Sequence, residues 1–222
     1  VAFTKYGHYH IMHYRTHHGK IRQAAIEYLF LAILMLVPPL CVYLDITVLD
    51  ASRVSEKSIT EYTQEFMILA SALAFWLGAV RQPGSRGFLL LVAGFFSSMF
   101  LREMDSLFDH VFHGFWFWPT LLLAAAVIAH VVMRCRNTVL GPMADFIDTK
   151  PFYHIMFGLL VVLVFSRTFA SKGFLWNHLE DQNFPHGLKS IMQEGIELMG
   201  YGFIAYGAFL FLRGIRENQA PG

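Results

Sequence analysis

Cysteine is nearly absent: Cys41 and Cys135 are the two among 222 residues. They form no CxxC pair, which removes the usual cysteine-based zinc and redox motifs. The reading below places them near opposite membrane faces, too far apart for a disulfide. Charge is scarce too, at 15% of residues with a net of +1. That leaves no basic face of domain size, so nucleic acid is not expected as a partner. No Ser/Gly-rich linker, internal repeat or low-complexity segment marks a second domain, and residues 1–222 read as one polytopic domain. No cleavable signal peptide is visible, because the first apolar run starts only near Ala24 and is of full length.

Apolar residues fill the gap. They make up 55% of the chain, aromatics alone 16%, and the mean hydropathy is +0.46. Such a composition belongs to membrane proteins. A hydrocarbon layer of ~30 Å needs ~20 apolar residues per helix. Six segments meet that length, approximately 24–44, 62–80, 87–113, 118–133, 152–170 and 190–212. The expected fold is an all-α integral membrane bundle of six transmembrane helices. Pro38–Pro39 should kink the first helix or end it early.

Six spans put both termini on one side, and the basic residues choose the side. The arm before the first span, the 81–86 loop, the connection from 134 to 150 and the tail carry eleven Lys and Arg, against six on the opposite side. Positive-inside then puts both termini in the cytoplasm of a multi-pass protein of the cell inner (plasma) membrane. The arm, residues 1–23, alternates aromatic side chains with His8, His10, His13, His17 and His18. It reads as an interfacial segment on the inner leaflet in preference to a metal site.

The stretch FLREMDSLFDHVFHGFWFWP, Phe100–Pro119, raises the functional question. An apolar run leads straight into Arg102, Glu103, Asp105, Asp109, His110 and His113. Gly94 is the one Gly or Pro between Gly87 and His113, so a single helix is expected from Gly87 to about His113. On it Ser98, Arg102, Asp105 and Asp109 would share one face, and Glu103, Ser106, His110 and His113 the next. The same level receives Glu65 from the second span, Arg167 from the fifth, and Glu194 and Glu197 from the sixth, with Tyr201 a turn deeper. Six acids then meet two arginines near the outer membrane edge. Each acid facing lipid would cost on the order of 2–3 kcal/mol, so a shared polar pocket between the third and sixth helices is expected.

Two readings fit that pocket. In the first, Asp109, His110, His113, Glu194 and Glu197 are metal ligands, for a divalent transition metal such as zinc. The chemistry would be metal-assisted hydrolysis or transfer on a lipid or other amphiphile. Glu103, Asp105 and Glu197 would supply a carboxylate base, and Arg102 or Arg167 would stabilise developing negative charge. The helices of the cluster carry no HExxH, HxxxH or CxxC. In the second reading the chain is a non-catalytic subunit or partner of a larger membrane complex, and the cluster is a salt-bridge network. The expected partners are the lipid bilayer and, in this reading, other membrane subunits. His130 and His154 raise bis-His haem, although most such histidines are satisfied by a neighbouring hydroxyl or carbonyl. Gly200 and Gly207 on the sixth helix are spaced for close helix packing.

Overall fold

The computed structural model describes residues 3–48, 58–171, 176 and 188–219, with the side chains of 17–48, 58–171, 176 and 188–216. The side chains of His8, His10 and His13, and His178, Glu180, Asp181 and His186 of the fifth-to-sixth connection, lie outside that set. The described chain is helical, with no strand. In order it forms α1 (Phe3–Val48), α2 (Ile59–Arg81), α3 (Arg86–Glu103), α4 (Asp105–Phe108), α5 (Phe117–His130), α6 (Leu140–Ile147), α7 (Lys150–Leu160), α8 (Ser166–Ala170) and α9 (Leu188–Gln219). A π-helical turn, Val161–Phe165, joins α7 to α8. Among the described residues six helical stretches are long and apolar enough to cross a membrane: His17–Val48, Ile59–Arg81, Pro83–Glu103, Phe117–Thr138, Lys150–Ala170 and Leu188–Arg216.

Two units are distinguished, Val1–Val37 and Pro38–Gly222. In the first, the α1 side chains Ile21, Ile26, Tyr28 and Leu29 are apolar and exposed. The second holds the core. There α2 is central: α3 packs along one side of it and α9 along another, with α5 beyond α3 and α7 beyond α9. Phe75 of α2 stacks on Phe211 of α9 with ring centroids 4.6 Å apart. It also meets Phe96 of α3 at 5.6 Å and the edge of Phe146 of α6 at 6.2 Å. Outward positions such as Leu122, Ile128, Leu160 and Val164 are apolar and exposed, a surface suited to a lipid solvent.

Glycine sets the α7–α9 approach. A Cβ on Gly200 would lie 2.5 Å from Val162 Cγ2 and 3.0 Å from the Gly158 carbonyl, and one on Gly207 would lie 2.6 Å from Ile155 Cγ1. The backbones are therefore close enough that only hydrogen fits, the packing use expected of these glycines.

One sequence expectation fails here, and of the two outcomes expected at Pro38–Pro39 one is excluded. Pro38 and Pro39 do not end α1, which runs through both to Val48; a helix in apolar surroundings tolerates the lost N–H groups better than one in water. The third helix does not continue to His113. It stops at Glu103, Met104 takes a non-helical ψ of 21°, and only the short α4 follows. The two faces assigned across residues 98–113 are therefore wrong beyond Glu103. Residues 105, 107, 109 and 110 are exposed, so burial does not hold a helix there, and Asp109 offers the backbone a competing turn.

Asp45 went unnoticed in the sequence and is completely buried. Its carboxylate accepts the Ile59 N–H at 2.6 Å and the Thr60 N–H at 3.1 Å, and also the Thr60 hydroxyl. Ser58 Oγ takes the Glu61 N–H at 3.0 Å. The N-terminus of α2 thus has its orphan donors met by two side chains, with a negative charge at its positive end.

Candidate functional site

Four helices deliver polar side chains to one end of the bundle. Gln64 comes from the second turn of α2, Arg102 and Glu103 from the last turn of α3, Ser166 and Arg167 from α8, and Gln193, Glu194, Glu197 and Tyr201 from the first half of α9. The order of the helices makes this a single level: α3 and α8 finish where α2 and α9 begin.

Glu103 is the bridge between α3 and α9. Its Oε1 accepts the Tyr201 hydroxyl at 2.6 Å and Arg102 Nη1 at 2.9 Å. Tyr201 is completely buried and the Glu103 side chain is 11% exposed. A second knot forms around Glu197, whose side chain is 4% exposed and whose Oε1 lies 3.4 Å from Arg167 Nη2. The same oxygen accepts Gln193 Nε2 at 3.2 Å and lies 3.2 Å from Ser166 Oγ. That hydroxyl has one proton, shared with the Val162 carbonyl at 2.6 Å. A third knot ties α2 to α9: Gln64 Nε2 donates to both the backbone carbonyl and the Oε2 of Glu194, at 3.0 and 3.1 Å. Gln64 is itself buried. Glu103, Glu194, Glu197 and Arg167 are within electrostatic reach of one another.

The proposed metal ligands divide into two groups. Glu194 and Glu197 sit in the cluster. Asp109, His110 and His113 lie on the exposed segment after α4, where Asp109 pairs with His113 and His110 bonds the backbone. Asp109 Oδ1 accepts the Gly114 N–H at 2.8 Å, and its Oδ2 accepts His113 Nδ1 at 2.8 Å. Gly114 has a φ of 83°, which only glycine adopts without strain, and this lets the chain fold back onto Asp109. The Gly114 N–H and then His113 hold the Asp109 carboxyl below the usual carboxylate range. His110 Nδ1 donates to the Ser106 carbonyl at 2.9 Å. Asp105 is exposed at the start of α4. Among the described residues no three His, Cys, Asp or Glu side chains converge in the manner of metal ligands.

Other candidates settle into packing. His154 Nδ1 donates to the Lys150 carbonyl at 2.8 Å, and its ring meets Tyr206 edge-on at 4.9 Å. Cys41 is buried with its sulfur 3.8 Å from Thr63 Oγ1, close to the start of α2. The Cys135 carbonyl lies against Gly87 at the start of α3, the other end of the bundle. Both thiols are free. Gln64, Ser166 and Gln193 were missed as partners because a lone amide or hydroxyl in an apolar run carries no periodic signal. The available clue was that Gln64 and Gln193 each sit beside a glutamate in a stretch otherwise fit for lipid.

Comparison of the chain with models of known protein families, with curated proteins and with solved structures gave no match.

Proposed function

We propose that the protein is a non-catalytic component of a larger membrane assembly, in which the four-helix polar cluster acts as an interhelical lock. One observation carries this reading: the cluster spends its own groups on itself. Arg102 is held by Glu103, Arg167 by Glu197, and Glu194 by Gln64. A hydrolase or transferase needs a base and a charge stabiliser left free to meet substrate. Here both guanidinium groups and all three central carboxylates already have protein partners. In this account both termini are cytoplasmic, the lock lies at the exoplasmic edge of the inner (plasma) membrane, and the lipid bilayer and other subunits cover the exposed apolar faces.

A second reading draws on the charge count. Three glutamates, Glu103, Glu194 and Glu197, face two arginines at one level. That imbalance suits a bound divalent cation such as zinc and, with it, metal-assisted hydrolysis or transfer on an amphiphile. Metal analysis of the protein purified in mild detergent, alongside its native size after gentle extraction, separates the two. The lock reading expects no stoichiometric transition metal and a particle larger than the 222-residue chain in its detergent belt. About one zinc per chain in a particle of monomer size would favour the second reading.

A further inference from the structure

The end of the bundle opposite the polar cluster holds a cavity of about 550 Å³, bounded by the α2–α3 turn, α6 and the C-terminal half of α9. That is the size class of small-molecule sites. Its space has a local cause: a Cβ on Gly214 of α9 would meet nothing within 4 Å. Phe88 of α3, Phe146 of α6 and Phe211 of α9 form the apolar wall. The Phe146 ring centroid lies 5.4 Å from that of Phe88 and 6.1 Å from that of Phe211.

Polar side chains join this wall. Pro142, Asp145 and Phe146 of α6 all line the cavity, the three-and-four spacing of one helix face, so α6 presents a carboxylate beside an aromatic ring. Gln82 and Ser85 line it from the α2–α3 turn. Among the described residues the side chains of Asp145, Gln82 and Ser85 have no hydrogen-bond or ion-pair partner. Asp145 is also the one charged residue in the lining. The arginines of this end stand off the wall, and Arg86 turns its Nε onto the Ala79 carbonyl at 3.2 Å.

We propose that this cavity binds a small organic amine in its protonated form. The ammonium sits on Asp145, the Gln82 carbonyl or Ser85 hydroxyl oxygen accepts a second N–H, and the apolar body lies against the three phenylalanines. Charge and hydrogen-bonding capacity select the occupant. An ammonium carries three donors and no acceptor, and the free groups of the wall supply a carboxylate, an amide oxygen and a hydroxyl oxygen to receive them. An anion would meet Asp145 as a like charge. The site is separate from the lock, and the assignment holds whichever way the chain crosses the membrane.

The test is isothermal titration of the intact protein in mild detergent, with heats into protein-free micelles subtracted. Three probes share one phenyl body: phenethylamine, phenethyl alcohol and hydrocinnamate, which at neutral pH are cationic, neutral and anionic. Wild type should bind the amine about fivefold more tightly than the alcohol, the upper end of what an exposed ion pair contributes, and the acid most weakly. Asp145→Asn should abolish the preference for the amine. It should keep the wild-type melting temperature, since Asp145 is exposed and has no partner to lose among the described residues. Gly214→Phe, which fills the cavity from α9, should weaken amine and alcohol alike. Equal binding of amine and alcohol by wild type would overturn the proposal, as would tightest binding of the acid. So would a preference that survives Asp145→Asn, unchanged binding in Gly214→Phe, or no saturable binding of the amine by wild type up to about 10 mM. If Gly214→Phe does not fold, Asp145→Asn decides on the same readout.

Discussion

Removing the Tyr201 hydroxyl tests the bond that bridges α3 and α9. Tyr201→Phe deletes one oxygen at a completely buried position and keeps the ring, so it opens no cavity of consequence. Glu103 loses its 2.6 Å donor but retains Arg102 at 2.9 Å. A hydrogen bond to a charged group contributes about 1.5–3 kcal/mol in water-soluble proteins. Within membranes measured values run lower, averaging ~0.6 and reaching ~1.7 kcal/mol. Burial at the bundle edge and a charged acceptor place this bond near the upper membrane figure, so about 1–2 kcal/mol is expected. In a chain of this length each kcal/mol moves the melting temperature by about 2–4 °C. Glu103→Ala should cost more, because it also breaks the pair with Arg102. The assay is a double-mutant cycle on reversible unfolding in mixed micelles. The two changes should be non-additive, with a coupling energy of about 1–2 kcal/mol. Additivity within about 0.5 kcal/mol would mean that the contact carries no energy and that α3 and α9 are held by α2 alone.

Asp45→Ala should destabilise the fold by about 3–5 kcal/mol, since it strips the acceptor from two backbone N–H groups and the Thr60 hydroxyl; Asp45→Asn should fall between, and a loss under 1 kcal/mol in denaturant titration would refute the capping role. Gly200→Val should cost about 1–3 kcal/mol through overpacking against Val162 and Gly158, whereas Gly214→Ala, where a Cβ meets nothing within 4 Å, should be neutral or slightly stabilising by thermal melt. For orientation, an impermeant thiol reagent applied to intact cells should label a cysteine placed at Ser55 or Asn183 and spare one placed at Ser85. Labelling at Ser85 instead would invert the protein and put the cluster on the cytoplasmic side.

The parts of this architecture visible in the sequence are those governed by composition over many residues. Six apolar helices follow from runs long enough for lipid, and the level shared by Glu103, Arg167, Glu194 and Glu197 follows from counting turns along each run. Close packing along the sixth span was readable in Gly200 and Gly207, though not that α7 is the helix packed there. What escaped depends on single residues and on packing. The end of α3 at Glu103 could not be read because Met104 and Asp105 carry no Pro or Gly stop signal; the helix ends where burial ends. Asp109 and His113 looked like paired ligands at i, i+4; they meet as a hydrogen-bonded pair, and the second partner of Asp109, the Gly114 N–H, appears only once the chain has folded back. Asp45 resembled an ordinary boundary charge after an apolar run, and its role depends on where α2 begins fourteen residues later.

The most direct test of the lock is the melting temperature of Glu197→Gln, measured together with its metal content. Glu197 gathers Arg167, Ser166 and Gln193 on one buried oxygen. Neutralising it leaves the Arg167 charge without its counter-ion, so the fold should lose about 1–3 kcal/mol and melt several degrees lower, with the same metal content as wild type. A variant that melts with wild type but has lost a stoichiometric metal ion would contradict the lock and make Glu197 a ligand.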